Sequence, residues 1–482
     1  MGSKLESRVS RLAKNPIGMG IAAAAASSTM LYFGTGLHPL WWLTWFATLP
    51  VLWVSPRVRA RSAFGIATLS WFLGSMNLWP YLLRSIRLPI ILVVILSTVP
   101  ACIFGLAVLL FQRFARRGAL WKAALIVPAV WVSFEYLIAF ASPHGTFGNL
   151  GYTQMDCLPV LQIVSVTGIW GISFCMFLFQ ATLAAGLNAR ANCAQRTRLV
   201  KYVAIFLAAM LAYGSWRLNA TPAPKQSVRV GLVAAGWENP YIQGSGASLE
   251  LIQGYSEQVA RLAAQGARMI VLPEKIMVVS DPTTARFDDL FEAAAKAARA
   301  NVVVGLDRGS ETRRSNEARL YTPEGTLVAI YDKHHLVPQF EDVDEPGTKI
   351  AVMRQPSGIW GLEICKDMDF PRLSRQYGAE GVGLLIVPAW DFVADGWLHD
   401  RMAVMRGVES GFTIVRSASE GRLTVSDNRG RVLAETGSER AIFSSLLATA
   451  PVRHDETPYL RWGDWFAWAN IAGLLAIIIF KR

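Results

Sequence analysis

From its first residue to Ala220 the chain carries three acidic residues, Glu6, Glu135 and Asp156, while the other 32 of its 35 Asp and Glu lie beyond. Apolar runs fill the acid-poor half, near residues 17–34, 38–55, 62–83, 88–112, 119–140, 159–188 and 200–217, and an eighth closes the chain at 464–480. A bilayer is crossed by about 20 apolar residues, so one half of this sequence folds in lipid and the other in water. The expected division is a transmembrane helical domain over 1–220 with about seven spans, a water-facing domain over 221–460, and a C-terminal transmembrane helix over 461–482. Residues 1–28 also have the basic start and small-residue run of a signal peptide.

The basic residues between the runs set the orientation. Lys4, Arg8, Arg11 and Lys14, then Arg57, Arg59 and Arg61, then Arg113, Arg116, Arg117 and Lys122, then Arg190, Arg196, Arg198 and Lys201, and finally Lys481 and Arg482 all fall on one side if the spans alternate. Cytoplasmic loops retain such charges, which places the acid-rich domain on the far, outer side of the membrane. The net charge of +12 arises partly from these clusters, and no recognition motif accompanies it, so nucleic acid is excluded as a partner. Cys102, Cys157, Cys175 and Cys193 show no disulfide framework.

Residues 226–450 alternate β-favouring runs, among them Val228 to Val233, Met269 to Leu272, Leu327 to Tyr331, Trp360 to Ile364 and Leu384 to Val387, with helical patterns at Leu249 to Ala264, Phe287 to Ala298 and Leu398 to Val408. One α/β domain with helices packed on sheets follows. Three of its runs end in a chemically useful side chain: Leu272-Pro273-Glu274, Tyr331-Asp332-Lys333 and Ile364-Cys365. Cys365 is the only cysteine of this domain, so its sulfur is either a small core hydrophobe or a reactive group. A carboxylate, an ammonium and a thiol, each at a strand end, suit covalent acyl chemistry. The thiol attacks as thiolate, the carboxylate takes and returns its proton, and the fixed ammonium stabilises the oxyanion.

Leu-Pro-Glu, then Tyr-x-Lys-x-His-Leu-Val-Pro, then Ile-Cys resembles the nitrilase, or carbon–nitrogen hydrolase, superfamily. With Glu341 three residues after Pro338, it resembles in particular the membrane-bound apolipoprotein N-acyltransferases. Further likeness lies in Phe147 to Gln154, in Trp390 with His399 and Met402 to Glu409, in Arg416-Ser417, and in Thr457-Pro458-Tyr459 with Gly463-Asp464-Trp465.

The resemblance implies an α-β-β-α sandwich and a ping-pong acyl transfer. Cys365 would take an acyl chain from a phospholipid as a thioester, and the α-amine of a lipoprotein's lipid-modified N-terminal cysteine would accept it. Glu274 carries over as base and acid, Lys333 as oxyanion stabiliser and Glu341 as a supporting carboxylate, with no cofactor and no metal. Trp390 falls on the substrate side by the same likeness.

Two departures stand out. After the cysteine the family has an aromatic residue and then Glu, whereas Lys366 and Asp367 follow here, and only 24 positions separate Glu341 from Cys365. Asp367 is expected to replace the acid with a shorter reach, and Lys366 to lower the thiol's pKa. The alternative they motivate is a nitrilase-type amidase or acyltransferase acting on another amine, lipid or amide. His334 and His335 are adjacent and lack chelating spacing, so they read as structural, and His399 reads as a packing residue near the site. Trp237 and Tyr241, after the first strand, either contact acyl chains or anchor at the interface. Glu135, inside an apolar run, either meets lipid headgroups or makes a helix-to-helix hydrogen bond.

Overall fold

A computed structural model describes residues 16–187, 192–220, 223–236, 238, 249–309 and 314–480. The chain divides into two compact units, Met1–Phe140 with Gly148–Trp216 and Asp464–Arg482, and Ala141–Phe147 with Arg217–Gly463. The short segment Ala141–Phe147, which interrupts the apolar half of the sequence, is therefore grouped with the α/β unit.

Among the described residues four helices are long and apolar enough to cross a membrane: Pro16–Gly34, Ile90–Arg116, Leu120–Ala141 and Cys193–Asn219. The run expected over 159–188 is a pair, Leu158–Thr167 and Trp170–Gly186, bent by 118°. Gly168 supplies the break, with φ of +65°. The run 38–55 is not one helix. It folds as a short 3-10 turn, Trp41–Trp45, and a single helical stretch, Leu49–Val54, because Pro39 and Pro50 cut the i→i−4 ladder. The run 62–83 gives Ala60–Ser75, and the closing run gives Trp465–Ile479, both apolar but short. Buried amides stitch these elements: Gln180 Oε1 accepts from both the backbone and hydroxyl of Thr48, at 2.7 and 2.9 Å.

The second unit is built on strands β1 (Gln226–Ala235), β2 (Met269–Val271), β3 (Val278–Ser280), β4 (Asn301–Gly309), β5 (Arg314–Tyr321), β6 (Leu327–Asp332), β7 (Ala351–Gln355), β8 (Gly358–Leu362), β9 (Leu384–Trp390), β10 (Thr413–Ser419), β11 (Arg422–Ser426), β12 (Val432–Gly437) and β13 (Phe443–Val452). One sheet runs β13-β1-β2-β4-β5-β6, with β3 added beside β4, and the other runs β12-β11-β10-β9-β8-β7. Strands β1, β2 and β4 are parallel to one another, as are β8, β9 and β10.

The two-residue period of β1 explains the layering. Val228, Val230, Leu232 and Ala234 enter a core shared with Leu362, Leu384, Ile386 and Val415 of the other sheet. Val233 and Ala235 instead pack with Leu251, Tyr255 and Val259 of the helix Leu249–Ala264 and with Phe287 and Phe291 of the helix Asp281–Ala298. Helices Pro371–Ala379 and Gly396–Ser410 accompany the second sheet, which gives the α-β-β-α order.

Candidate active site

Strands β2, β6 and β8 deliver the functional side chains just past their C-terminal ends, and a backbone bond joins the sheets there. The N–H of Glu274, three residues past β2, donates to the carbonyl of Ala389 in β9 at 3.3 Å. Lys333 follows β6 directly and Cys365 follows β8 by three residues.

Glu274 and Lys333 form a buried ion pair, Nζ to Oε1 2.7 Å, with 3% and 1% of their surfaces exposed. Glu341 joins from the loop after β6, its Oε2 2.9 Å from the same ammonium. The N–H of Val337 donates to that oxygen at 2.7 Å, so the loop folds on its own carboxylate. Asn316 of β5, fully buried, donates through Nδ2 to Glu274 at 2.5 Å and to Glu341 at 2.7 Å. Sequence reasoning missed Asn316, since a lone amide between charged neighbours gives no signal. It also missed Lys275, whose ammonium lies 2.9 Å from Glu341. Although burial opposes ionisation, Lys333 and Lys275 together push the Glu341 carboxyl down to about 2. Burial likewise disfavours the Lys333 cation, but Glu274, the Cys365 sulfur and Glu341 hold its pKa well above 10.5.

Cys365 begins a 3-10 turn, Cys365–Asp369, with φ of +44°, a left-handed conformation that L residues rarely adopt and that turns the chain sharply after the strand. Its Sγ donates to the Trp390 carbonyl at 3.3 Å. Burial first, and then the Glu274 carboxylate, push the thiol's pKa well above 9.0, with Lys333 and Arg416 opposing and Asp391 reinforcing. The resting sulfur is a thiol, so the thiolate has to be made by proton transfer as attack occurs.

Asp367 is buried and collects donors from two turns. Tyr331 Oη reaches it at 2.7 Å, the backbone N–H groups of His334 and His335 at 3.2 and 2.9 Å, and Ile364 N–H at 3.3 Å. It therefore braces the Lys333 turn against the Cys365 turn. His335 Nδ1 lies 3.0 Å from the same carboxylate and its ring stacks on Phe370 at 3.6 Å. Lys366 is buried, its ammonium 3.0 Å from His144 Nδ1 and 3.6 Å from Asp369.

Segment Ala141–Phe147 packs against this turn. Thr146 donates through N–H and hydroxyl to the Asp369 carbonyl at 2.9 and 2.8 Å. A Cβ on Gly145 would come within 2.5 Å of that carbonyl, at φ of +50°, so only glycine fits. Phe147 stacks with His399 at 5.6 Å. His399 resists ionisation through burial, but Asp395 at 3.1 Å and further carboxylates raise it to about 9. Asp391 is held by Arg416 in a buried two-point pair, 2.6 and 2.9 Å. Trp390 is 40% exposed beside the sulfur's acceptor carbonyl. Trp237 and Tyr241 lie outside the described residues. Glu135 belongs to the other unit, where Oε1 accepts the Leu150 N–H at 2.9 Å. That bond ties the helix Leu120–Ala141 to the first residue of the short 3-10 helix Leu150–Gln154.

Two family profiles match the chain. One, described as apolipoprotein N-acyltransferase N-terminal domain, covers residues 27–182, and the other, carbon-nitrogen hydrolase, covers residues 232–446. The chain is 27% identical to the apolipoprotein N-acyltransferase of Geobacter metallireducens, over 93% of this chain and 92% of that one. It is 24% identical to that of Gloeobacter violaceus, over 96% and 94%. Among solved structures it resembles an amidase of the nitrilase superfamily from Nesterenkonia, at 21% identity and a TM-score of 0.43, over 52% of this chain and 98% of that one.

Proposed function

The chain belongs to the apolipoprotein N-acyltransferase family, and from that premise we propose that it transfers an acyl chain from a phospholipid, through a Cys365 thioester, to the α-amine of a lipoprotein's lipid-modified N-terminal cysteine. The observation that carries the mechanism is the buried Glu274–Lys333 pair beside a thiol held protonated.

In the first half-reaction the Cys365 proton passes to Glu274 as sulfur bonds to the ester carbonyl carbon of the donor. The carbonyl oxygen becomes an oxyanion, which the buried Lys333 ammonium stabilises. The intermediate collapses, the C–O bond breaks, and the departing lysophospholipid oxygen takes the proton from Glu274. In the second half-reaction the amine nitrogen attacks the thioester and gives its proton to Glu274. The C–S bond breaks and sulfur recovers that proton, leaving an amide.

Glu341 and Asn316 hold the Glu274–Lys333 pair in register, and Trp390 borders the incoming acyl chain. Lipid substrates keep their chains out of water throughout, which suits an enzyme anchored by apolar helices. Its place is the bacterial inner membrane, with the α/β unit on the outer side, as the distribution of basic loops supports.

The test is mass spectrometry of lipoprotein N-termini from cells whose only such enzyme is this chain. Triacylated termini are expected with the natural sequence and diacylated ones with Cys365→Ala. Diacylated termini in both would overturn the acceptor and leave another amine or water in its place.

A further inference from the structure

Lys275 lies next to the proposed base and has no role in the proton transfers above. Its ammonium faces three carboxylates: Glu341 at 2.9 Å, Asp344 at 3.1 Å and Asp307 at 3.7 Å. Arg314 meets two of the same acids, Asp307 at 2.9 Å and Asp344 at 3.2 Å. Lys275, Asp307, Arg314 and Asp344 thus close a four-membered charge ring. Its members come from the turn after β2, from β4, from the start of β5 and from the loop after β6. Lys275 reaches the ring from a left-handed backbone, φ of +51°, which persists only where its surroundings enforce it.

We propose that Lys275 is a positioning residue that takes over part of the Glu341 carboxylate, so that the Lys333 ammonium is free to turn to the oxyanion. Glu341 has two oxygens and two ammoniums, with Lys275 closest to Oε1 and Lys333 closest to Oε2. Without Lys275 one cation would have to neutralise both Glu274 and Glu341, and movement toward the substrate would strand a buried carboxylate. The groups that face one another here are Glu274, Glu341, Asp307 and Asp344 against Lys333, Lys275 and Arg314. Four anions against three cations leave one negative charge, which is what a base beside a neutral thiol requires. Removing Lys275 doubles that excess and favours protonation of the carboxylates, so the acylation rate should fall most at low pH and recover as pH rises.

The inference rests on Cys365 being acylated. Full-length enzyme in lipid nanodiscs is mixed with a phospholipid bearing a fluorescent acyl chain, and the rate of Cys365 adduct formation is followed from pH 5 to 9 in a single turnover. For Lys275→Met the expected result is a loss of about tenfold or more at pH 7, with half-saturation by donor changed less than about twofold. Its acid limb should stand at higher pH, and Lys275→Arg should recover most of the rate. Should Lys275→Met fail to fold, Lys275→Gln is read in the same way. A wild-type rate and pH profile in the variant would overturn the inference, as would a loss uniform with pH that comes with an equal rise in half-saturation. Absence of any adduct in the unsubstituted enzyme would instead overturn the acylation of Cys365 itself, and the inference with it.

Discussion

The Lys366 ammonium stands 3.0 Å from Nδ1 of His144, so the residue that follows the proposed nucleophile ties the Cys365 turn to segment Ala141–Phe147. Only an unprotonated Nδ1 can accept that bond. Desolvation, with the Lys366 ammonium adding to it, pushes the His144 imidazole down to about 4. A depressed histidine is harder to protonate folded than unfolded, so its contribution to stability is intact above about pH 6.5 and fades as pH falls toward about 4. Thermal unfolding in detergent should show this acid sensitivity, and His144→Gln should blunt it. A stability profile unchanged by that substitution would remove the pair from the account.

Asp367 should be the most costly of the residues around Cys365 to truncate. Asp367→Ala leaves four buried or partly buried donors without their acceptor, at roughly 1–3 kcal/mol for each fully buried one. Because it unbraces Lys333 from Cys365, acylation should drop on the order of 100-fold even at temperatures where the protein stays folded. Circular dichroism melting alongside the fluorescent-lipid assay separates the two effects.

Arg416→Met removes the two-point partner of Asp391, a carboxylate at 0% side-chain exposure, and leaves it facing the His399 ring at 3.8 Å, which is expected to destabilise by about 3 kcal/mol. Arg416→Lys should recover little of this, since the two-point geometry needs a guanidinium. Chemical denaturation of the purified protein measures both.

A thiol whose pKa lies well above 9.0 is protonated throughout the neutral range. Alkylation of Cys365 by iodoacetamide should therefore be slow at pH 7 and rise only in alkali. Glu274→Gln, which removes the neighbouring anion, should bring that rise to lower pH while abolishing acyl transfer. Rapid alkylation of the natural enzyme at pH 7 would falsify a protonated resting state.

The division of the molecule and its three proposed reactive side chains were legible because each leaves a local trace. Acids avoid lipid, strands favour β-branched residues, and Glu274, Lys333 and Cys365 each end such a run. β5 was missed for the opposite reason: Arg314–Tyr321 reads as polar, yet Glu317 and Arg319 are buried with each other at 2.7 Å and with Asp288 at 2.7 Å. Pairing, which hydropathy cannot register, makes that burial affordable. Asn316 and Lys275 act through residues 25 to 69 positions away, as in the bonds to Glu341 and Asp344, and no short pattern encodes such partners. The partners of Lys366, His144 and Asp369, were not legible because adjacency along the chain does not specify where a long side chain sends its charge. The bend at Gly168 and the prolines at 39 and 50 were in the sequence, but the length of an apolar run alone outweighed them in reading spans.

β1, which opens the α/β unit, pairs antiparallel over its whole length with β13, which closes it, Gln226 opposite Val452. A ribosome must therefore deliver nearly the entire unit before its first strand gains this neighbour. The bond from Glu274 to Ala389 waits on the same event in part, since it needs both sheets in place. A nascent or truncated chain, already inserted among lipids by its earlier helices, would thus hold a cysteine without a base aligned to it. The completed site is thus a property of the whole unit, assembled only when its last strand has been made.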